Sequence, residues 1–342
     1  MKITQIKIKN FRGIEETVLD FQEFNLITGI KDTSKTNIIK ALSIGISSFF
    51  LGLDAIPTIN IYPEDVRRGI DEKEGVLNLM YPVEISCQCI IDEQKINWVR
   101  TIKNPGSRAS HQHILEIKKI SGEMQTKTRK NQPIILPIIA YYDNKRYWSL
   151  KINKSLETIK PGSRFLGYKN YFDPPLNQKQ LLLWCRTMEF ASRQRNQPIM
   201  IFESVKNAIT DFFEDLENIN YDLSQDKLLA TYRDGKNQPL SKLHDNIRNL
   251  MAMIFDIAYR CVILNPHLQK ESIRQTPGIV LIDDIELYLQ PELQKKVLEK
   301  LHQIFPVIQF IVTSNSQFIG QPIPFGQTIE LKSHCRINIS TK

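Results

Sequence analysis

Residues 26–42 read LITGIKDTSKTNIIKAL, and no other stretch constrains the fold as tightly. Leu26 and Ile27 read as a strand end and Gly29 as the start of a turn. Lys35-Thr36 open an amphipathic helix carrying Ile38, Ile39, Ala41 and Leu42. The spacing is that of G-x-x-x-x-G-K-[ST], with Ser34 where the second glycine belongs. Such a loop holds phosphate because successive backbone N–H groups and a helix N-terminus converge on the β- and γ-phosphates. Lys35 would add a point charge and the Thr36 hydroxyl would ligate Mg²⁺, with Gly29, Ser34 and Asn37 completing the contacts to nucleotide. Ser34 still offers an N–H, but its Cβ lies where backbone and phosphate approach closely. Asp32 adds a negative charge near a polyanion. The frame implies a nucleotide fold, and its fillings imply an impaired nucleotide site.

The partner motif supports the frame. In PGIVLIDDIELYLQP (277–291), Ile279-Val280-Leu281-Ile282 reads as a short buried strand of a parallel sheet. It ends in Asp283, where such a strand delivers a Mg²⁺-binding carboxylate. About thirty residues on, a second apolar strand, Gln309 to Val312, leads into Thr313-Ser314-Asn315-Ser316.

With these motifs in this order, the chain resembles the AAA-annotated, ABC-type ATPases of the RecF/SMC-head kind. Within them it resembles most the Septu PtuA ATPases of anti-phage systems and the ATPases of some retrons. The resemblance runs through IKIKNFRGIEE, the loop above, LPIIAYYDNKRYW (136–148), PGSRFLGYKN (161–170), LHDNIRNLMAMIFDIAYRCVILNPHL (243–268) and VLIDDIELYLQPELQ. It implies an α/β P-loop NTPase of ABC-ATPase head type, a mixed sheet with a β-arm and a helical subdomain. It also implies ATP and Mg²⁺ as cofactors and a head-to-head homodimer or higher oligomer. The implied partner is an HNH-type nuclease or a protein encoded beside a reverse transcriptase.

The departures from the family pattern are concentrated. Lys31, Asp32 and Ser34 replace Asn, Gly and Gly of G-x-N-G-x-G-K-T. The signature L-S-D-G is Leu243-His244-Asp245-Asn246, the water-activating Glu is Asp284, and the switch histidine of T-T-H-S is Asn315. The Y-Y-G-T-G-R element has become Tyr141-Tyr142-Asp143-Asn144-Lys145-Arg146. Asp284 is one methylene short, which displaces its carboxylate by roughly 1 Å or more, and such misplacement costs about 10²-fold. Asn315 can hydrogen-bond to a γ-phosphate but cannot be protonated as histidine can. His244 and Asn246 are bulkier than the Ser and Gly that reach across the family dimer. Lys35, Thr36 and Asp283, which would merely hold Mg-nucleotide, survive. Arg12, in NFRGI, matches a family position near the adenine; a surface arginine after a strand is the alternative. Glu286 falls in the family's D-loop at a dimer seam, or is a solvent-facing acid at a helix start.

Composition fits an ordinary globular chain of 342 residues, 42% hydrophobic and 24% charged. No signal-peptide pattern or membrane-spanning run is present. The stretch from Ile44 to Ile56 is interrupted by Gly45, Ser47, Ser48, Gly52 and Asp54 and reads as a continuation of the P-loop helix. A cytoplasmic location is expected, with no membrane partner. Cys87 and Cys89 read as core residues of one strand face, since a metal site would need a second ligand pair.

The charge is local. From Lys95 to Lys169 there are sixteen Lys/Arg against four Asp/Glu, a net +12 where the whole chain carries +8. This is the footprint expected for a polyanion, with Lys127, Arg129 and Lys130 as candidate nucleic-acid contacts; a solvated face without a partner is the alternative.

Four segments are expected. Residues 1–70 would carry the N-terminal ATPase core with the P-loop, and 71–160 a basic antiparallel β-arm built from VEISCQCIID, KINWVRTIK and HILEIKKI. SGEMQTKTRKNQ would be a mobile loop. Residues 161–240 would form a helical subdomain, and 241–342 the C-terminal core with signature, Asp283 strand and switch. Three functions are consistent with this reading: a nucleotide-binding, hydrolysis-poor regulatory subunit of a nuclease-containing defence complex; a slow working ATPase in repair or defence; and a scaffold that binds no nucleotide and contacts nucleic acid.

Overall fold

The computed structural model describes residues 1–29, 34–70, 77–145, 148–149, 162–172, 176–287, 289–319 and 323–331. The chain opens with strands β1 (Lys2–Phe11), β2 (Ile14–Asp20) and β3 (Phe24–Gly29), then helix α1 (Lys35–Ile46). Strands β4 (Arg68–Ile70), β5 (Leu77–Leu79), β6 (Val83–Ile91), β7 (Gln94–Ile102) and β8 (Ser110–Gln112) precede α2 (Leu115–Arg129). Next come β9 (Ile138–Tyr142), β10 (Trp148–Ser149), β11 (Leu176–Asn177), α3 (Gln178–Arg195) and α4 (Met200–Phe212). They are followed by β12 (Leu216–Asp222), β13 (Lys227–Tyr232), β14 (Asn237–Pro239), α5 (Asp245–Leu264) and α6 (Ser272–Gln275). The chain closes with β15 (Gly278–Ile282), α7 (Pro291–Ile304), β16 (Ile308–Ser314) and β17 (Gln327–Leu331).

Two compact units result. The first gathers residues 1–134, 279–285 and 309–342; the second gathers 135–278 and 286–308. Residues 71–134 thus share a unit with 1–70, because β6 pairs antiparallel with β1 and β7 with β6. The segment expected as an arm is a continuation of the N-terminal sheet, ordered β2-β1-β6-β7-β8. A second sheet in the same unit is ordered β17-β3-β16-β15, with β3 parallel to both β16 and β17. β15 and β16 are buried along their whole length; β15 is apolar throughout and β16 apolar over residues 310–312, as suits strands covered on both faces. Gln309 ties the two sheets together. Its side chain accepts from Ile3 N–H at 2.8 Å and donates to the Ile3 carbonyl at 2.8 Å, beside a register shift in β1.

α1 packs against strands of both sheets. Its Gly45 is required by close approach: a Cβ there would stand 2.3 Å from Cys87 Sγ. Cys87 and Cys89 are buried in β6, and burial pushes the Cys89 thiol up to about 12, as core cysteines demand. The helix stops at Ile46 instead of continuing to Ile56; a 3-10 turn covers Ser47–Gly52. Its final carbonyls are met from β7: Trp98 Nε1 donates to Gly45 O at 2.9 Å, and buried Arg100 donates to Ile44 O at 3.2 Å and Ile59 O at 2.7 Å. A cation at a helix C-terminus is favoured by the helix dipole.

The polar stretch expected as a loop, and HILEIKKI expected as strand, are instead largely α2. Its buried residues are Ile117, Ser121, Met124 and Gln125, spaced as one helical face. Only two of the four are apolar, so hydropathy hides the period. The face docks through small residues: a Cβ on Gly52 would meet Ser121 Oγ at 2.2 Å and Lys118 O at 2.3 Å.

The second unit is helical as expected over α3 and α4, but 216–239 forms the antiparallel sheet β12-β13-β14. The alternation in LENINYD and KLLATY, joined by a turn with Asp226 at φ 54°, drives this hairpin. Among the described residues no helix is long and apolar enough to cross a membrane.

Candidate functional site

β3 delivers Gly29, and α1 begins at Lys35, as the motif spacing requires. Lys35 is 3% exposed, and its Nζ donates to the Gly29 carbonyl at 2.8 Å, so the ammonium folds back over the entry to its own loop. Lys31 and Asp32 lie outside the described residues. Ser34 is the N-cap residue of α1 (φ −52°, ψ 28°) and makes no side-chain capping bond, and the first turn holds no acidic residue. The positive end of the α1 dipole is therefore not offset by a capping side chain or a first-turn carboxylate. Thr36 is exposed and Asn37 half-buried beside it.

The NFRGI turn lies against this helix start. A Cβ on Gly13 would sit 3.4 Å from both Ser34 Oγ and Asn37 Nδ2. Arg12, at φ 49°, reaches its guanidinium to buried Asp65, with Nε donating to Oδ1 at 2.7 Å. Arg12 thus stands beside the P-loop helix with its charge already engaged by a carboxylate of the same unit.

The carboxylate side is built from β15 and β16. Asp283 follows directly on β15 and is fully buried, at 0% exposure. Thr313 Oγ1 donates to Asp283 Oδ1 at 2.6 Å and accepts from Asp284 N–H at 2.8 Å; the Thr313 carbonyl accepts from Ile285 N–H at 2.9 Å. Asp284 adopts the left-handed conformation (φ 47°), and Asn315 Nδ2 donates to its Oδ1 at 3.0 Å. The β16–β3 register pairs Thr313 with Ile27 and Ser314 with Thr28, which brings this cluster to the sheet end where β3 delivers Gly29. Ligands of open α/β sheets bind at that end. The sequence singled out Asp283, Asp284 and Asn315 but gave Thr313 no role. Its signal is a hydroxyl residue directly after the apolar run 310–312 of β16.

The signature segment and its supports belong to the second unit. Leu243 is buried, and His244 is the N-cap residue of α5 without a side-chain capping bond. Asp245 pairs with Arg248 at 2.5 Å, and Asn246 Oδ1 accepts from Ile247 N–H at 2.8 Å. Glu286 is half-buried and lies just after the Asp283-Asp284 turn. Deeper in α5, Tyr142 OH donates to Asp256 Oδ2 at 2.6 Å, and Arg260 Nε donates to the same oxygen at 2.7 Å. Burial and the Asp256 charge push the Tyr142 phenol up; burial opposes the Arg260 charge, but Asp256 and Tyr142 outweigh it. Arg260 Nη1 also donates to Gly167 O and Lys169 O, at 2.9 and 3.0 Å, and Arg164 Nε donates to Leu264 O at 2.5 Å. Tyr142, Arg164, Gly167 and Lys169 are thereby fastened to α5. Arg146 lies outside the described residues.

Lys127 and Arg129 occupy the last turn of α2, and Lys130 follows it; all three are exposed. Arg129 is paired with Asp54 at 2.6 Å, so of the three candidates its charge is already engaged within the chain.

Gly29 and Lys35 at the end of β3, and a buried aspartate at the end of β15, with β16 between the two strands, define a P-loop ATPase fold of the ABC-head class. Residues 1–159 match the family model of the AAA ATPase domain. The chain is 34% identical over 131 residues to the retron Vc95 probable ATPase of Vibrio cholerae serotype O1 biovar El Tor, covering 38% of this chain and 24% of that protein. It is 34% identical over 115 residues to the retron Ec83 probable ATPase of Escherichia coli, covering 33% of this chain and 20% of that one. It is 30% identical over 115 residues to the Septu protein PtuA of Bacillus mycoides (strain KBAB4), covering 34% and 15%. The matched stretches span about a quarter or less of these relatives. Among solved structures, an SMC head bound to the C-winged helix domain of ScpA superposes with a TM-score of 0.60 at 14% identity, over 98% of this chain and 95% of that one. The SMC head domain from Thermotoga maritima gives 0.52 at 14% identity, over 93% and 91%. The fold is that of an SMC head, and residues 1–159 are similar to the AAA ATPase domain.

Proposed function

We propose that this chain is an ATP-binding, hydrolysis-poor ATPase-like subunit of a bacterial anti-phage defence complex, in which nucleotide occupancy regulates a nuclease partner. The likeness to retron and Septu ATPases supports the defence setting. One observation carries the hydrolysis-poor reading: Asp284, at the position of the water-activating Glu, accepts a hydrogen bond from Asn315, at the position of the switch histidine. The two altered residues engage each other. Meanwhile the holding set of Lys35, Thr36 and Asp283 is retained at one sheet end.

This donor set fits Mg-nucleotide. An ammonium and helix N–H groups suit phosphate, and a hydroxyl and a buried carboxylate suit a hard divalent cation. Mg²⁺, when bound, would neutralise phosphate charge. Lys35 would release Gly29 O and turn to phosphate, Thr36 and Asp283 would hold the cation, and Asp284 would lack both reach and freedom to orient water. The signature residues would meet nucleotide only across a head-to-head dimer, where His244 and Asn246 crowd the space left by Ser and Gly. An HNH-type nuclease, or a protein encoded beside a reverse transcriptase, is the proposed regulated partner, and the cytoplasm the proposed location.

Mg-ATP binding is expected to be measurable but weaker than for a glycine-complete loop. Changing Ser34→Gly together with Asp32→Gly should tighten it, by relieving crowding and repulsion at the phosphates. Calorimetric titration of parent and double variant checks this; unchanged affinity contradicts the damaged-loop account.

Nucleic-acid contact through the basic helix is the second reading, favoured by exposed Lys127 and Lys130 on a net +12 stretch. Lys127→Glu with Lys130→Glu, sparing the Asp54-bonded Arg129, should weaken binding equally across sequences. It should reduce the duplex salt slope by roughly 2 or more, about 0.9 per lost phosphate contact. A gel-shift titration in which this pair binds like the parent removes the reading.

A further inference from the structure

Thr313 is the residue through which the Asp283-Asp284 turn is held, and no motif assigns it. It is the last residue but one of β16, is fully buried, and makes three hydrogen bonds to three consecutive residues. The direction of each bond matters. A threonine hydroxyl has one proton to give. Here that proton goes to Asp283 Oδ1 at 2.6 Å, the short distance of a charge-assisted bond. The hydroxyl oxygen itself, Thr313 Oγ1, accepts from Asp284 N–H at 2.8 Å. The hydroxyl therefore anchors Asp283 Oδ1. In the same geometry it pins the Asp284 backbone at φ 47°, a conformation that L-residues other than Asn, Asp and Gly seldom adopt. That bend places the Asp284 side chain within reach of Asn315.

We propose that Thr313 is a positioning residue: its single hydroxyl orients Asp283 as a divalent-cation ligand and locks Asp284 into its Asn315-bonded arrangement. The first half rests on the Mg-nucleotide reading above; the second concerns the protein alone. The Thr313 hydroxyl is engaged by Asp283 and by Asp284 N–H, so it would act on the cation through Asp283, and its loss should separate metal-dependent from metal-independent binding. A residue needed only for packing would lower both together.

The deciding variants are Thr313→Val, which keeps shape and removes the hydroxyl, and Thr313→Ser, which keeps the hydroxyl. ATP affinity is measured for each with Mg²⁺ and with EDTA. Thr313→Val should lose tenfold or more in Mg-ATP affinity and change less than twofold in EDTA, and Thr313→Ser should restore the Mg²⁺ effect. Equal losses in both conditions, or no loss in either, overturn the proposal while leaving nucleotide binding intact. A second measurement needs no nucleotide. Urea unfolding of the parent, Thr313→Val, Asp283→Asn and the double variant forms a cycle, in which the unfolding constants should depart from multiplicativity by at least fivefold. A parent that binds no ATP sinks the Mg-nucleotide reading, and the cycle then decides on Thr313: multiplicative effects overturn it, and coupling supports it. If Thr313→Val does not fold, Thr313→Ala takes its place in both experiments.

Discussion

Arg260→Met is expected to cost about 3–5 kcal/mol of stability, the scale for removing one partner of a buried ion pair. Arg260 and Asp256 are 4% and 9% exposed, so neither charge recovers much hydration if its partner is lost. The substitution leaves the Asp256 carboxylate with the Tyr142 hydroxyl and strips a donor from Gly167 O and Lys169 O. Removing both charges together, Arg260→Met with Asp256→Leu, should cost less than the single change, because no uncompensated charge remains. Urea denaturation of the three chains checks the order. A single-variant cost below about 1 kcal/mol would show that the network is not the clamp of the second unit.

Steady-state phosphate release is expected to lie far below the ordinary enzyme scale of about 1 s⁻¹, with or without DNA or RNA. The expected low rate rests on three separate features. Asp284 is a methylene short and is bonded to Asn315. Asn315 cannot carry the proton of a switch histidine. His244 and Asn246 stand where a serine and a glycine complete the family's shared site. Because the features act in series, Asp284→Glu alone should not restore family-level activity. Full rescue by that one change would locate the whole defect at the base and contradict the account of the signature and switch. A parent turnover at or above about 1 s⁻¹ would overturn the hydrolysis-poor reading itself.

The P-loop frame was legible because its parts are local. Gly29 ends a strand and Lys35 starts a helix, so seven residues fix a strand–turn–helix without help from the rest of the chain. Asp283 was equally legible, at the end of an unbroken apolar strand. α2 was not. Half of its buried face is Ser121 and Gln125, and it docks by the smallness of Gly52, Ser121 and Gly122, a property that hydrophobic periodicity does not register. The stop at Ile46 was hidden for a related reason: it depends on Arg100 and Trp98, about fifty residues away in sequence. The 216–239 hairpin lay in a stretch read from its flanking helices. Thr313 shows the limit at the site. A tetrapeptide names candidate residues, but which hydroxyl faces which carboxylate is set by how β16 lies beside β15. The mutual bond of Asp284 and Asn315 was likewise invisible, although each was suspect alone.

The central claim is that this head holds ATP without consuming it. The most direct measurement is the fate of bound nucleotide. The protein is loaded with radiolabelled Mg-ATP, freed of excess by rapid gel filtration, and quenched after increasing times, and the bound label is resolved chromatographically. The account predicts that intact ATP remains the bound species over many minutes, and that Lys35→Ala or Asp283→Asn retains little label. Bound ADP forming within seconds, or a parent chain that retains no label at all, would contradict it.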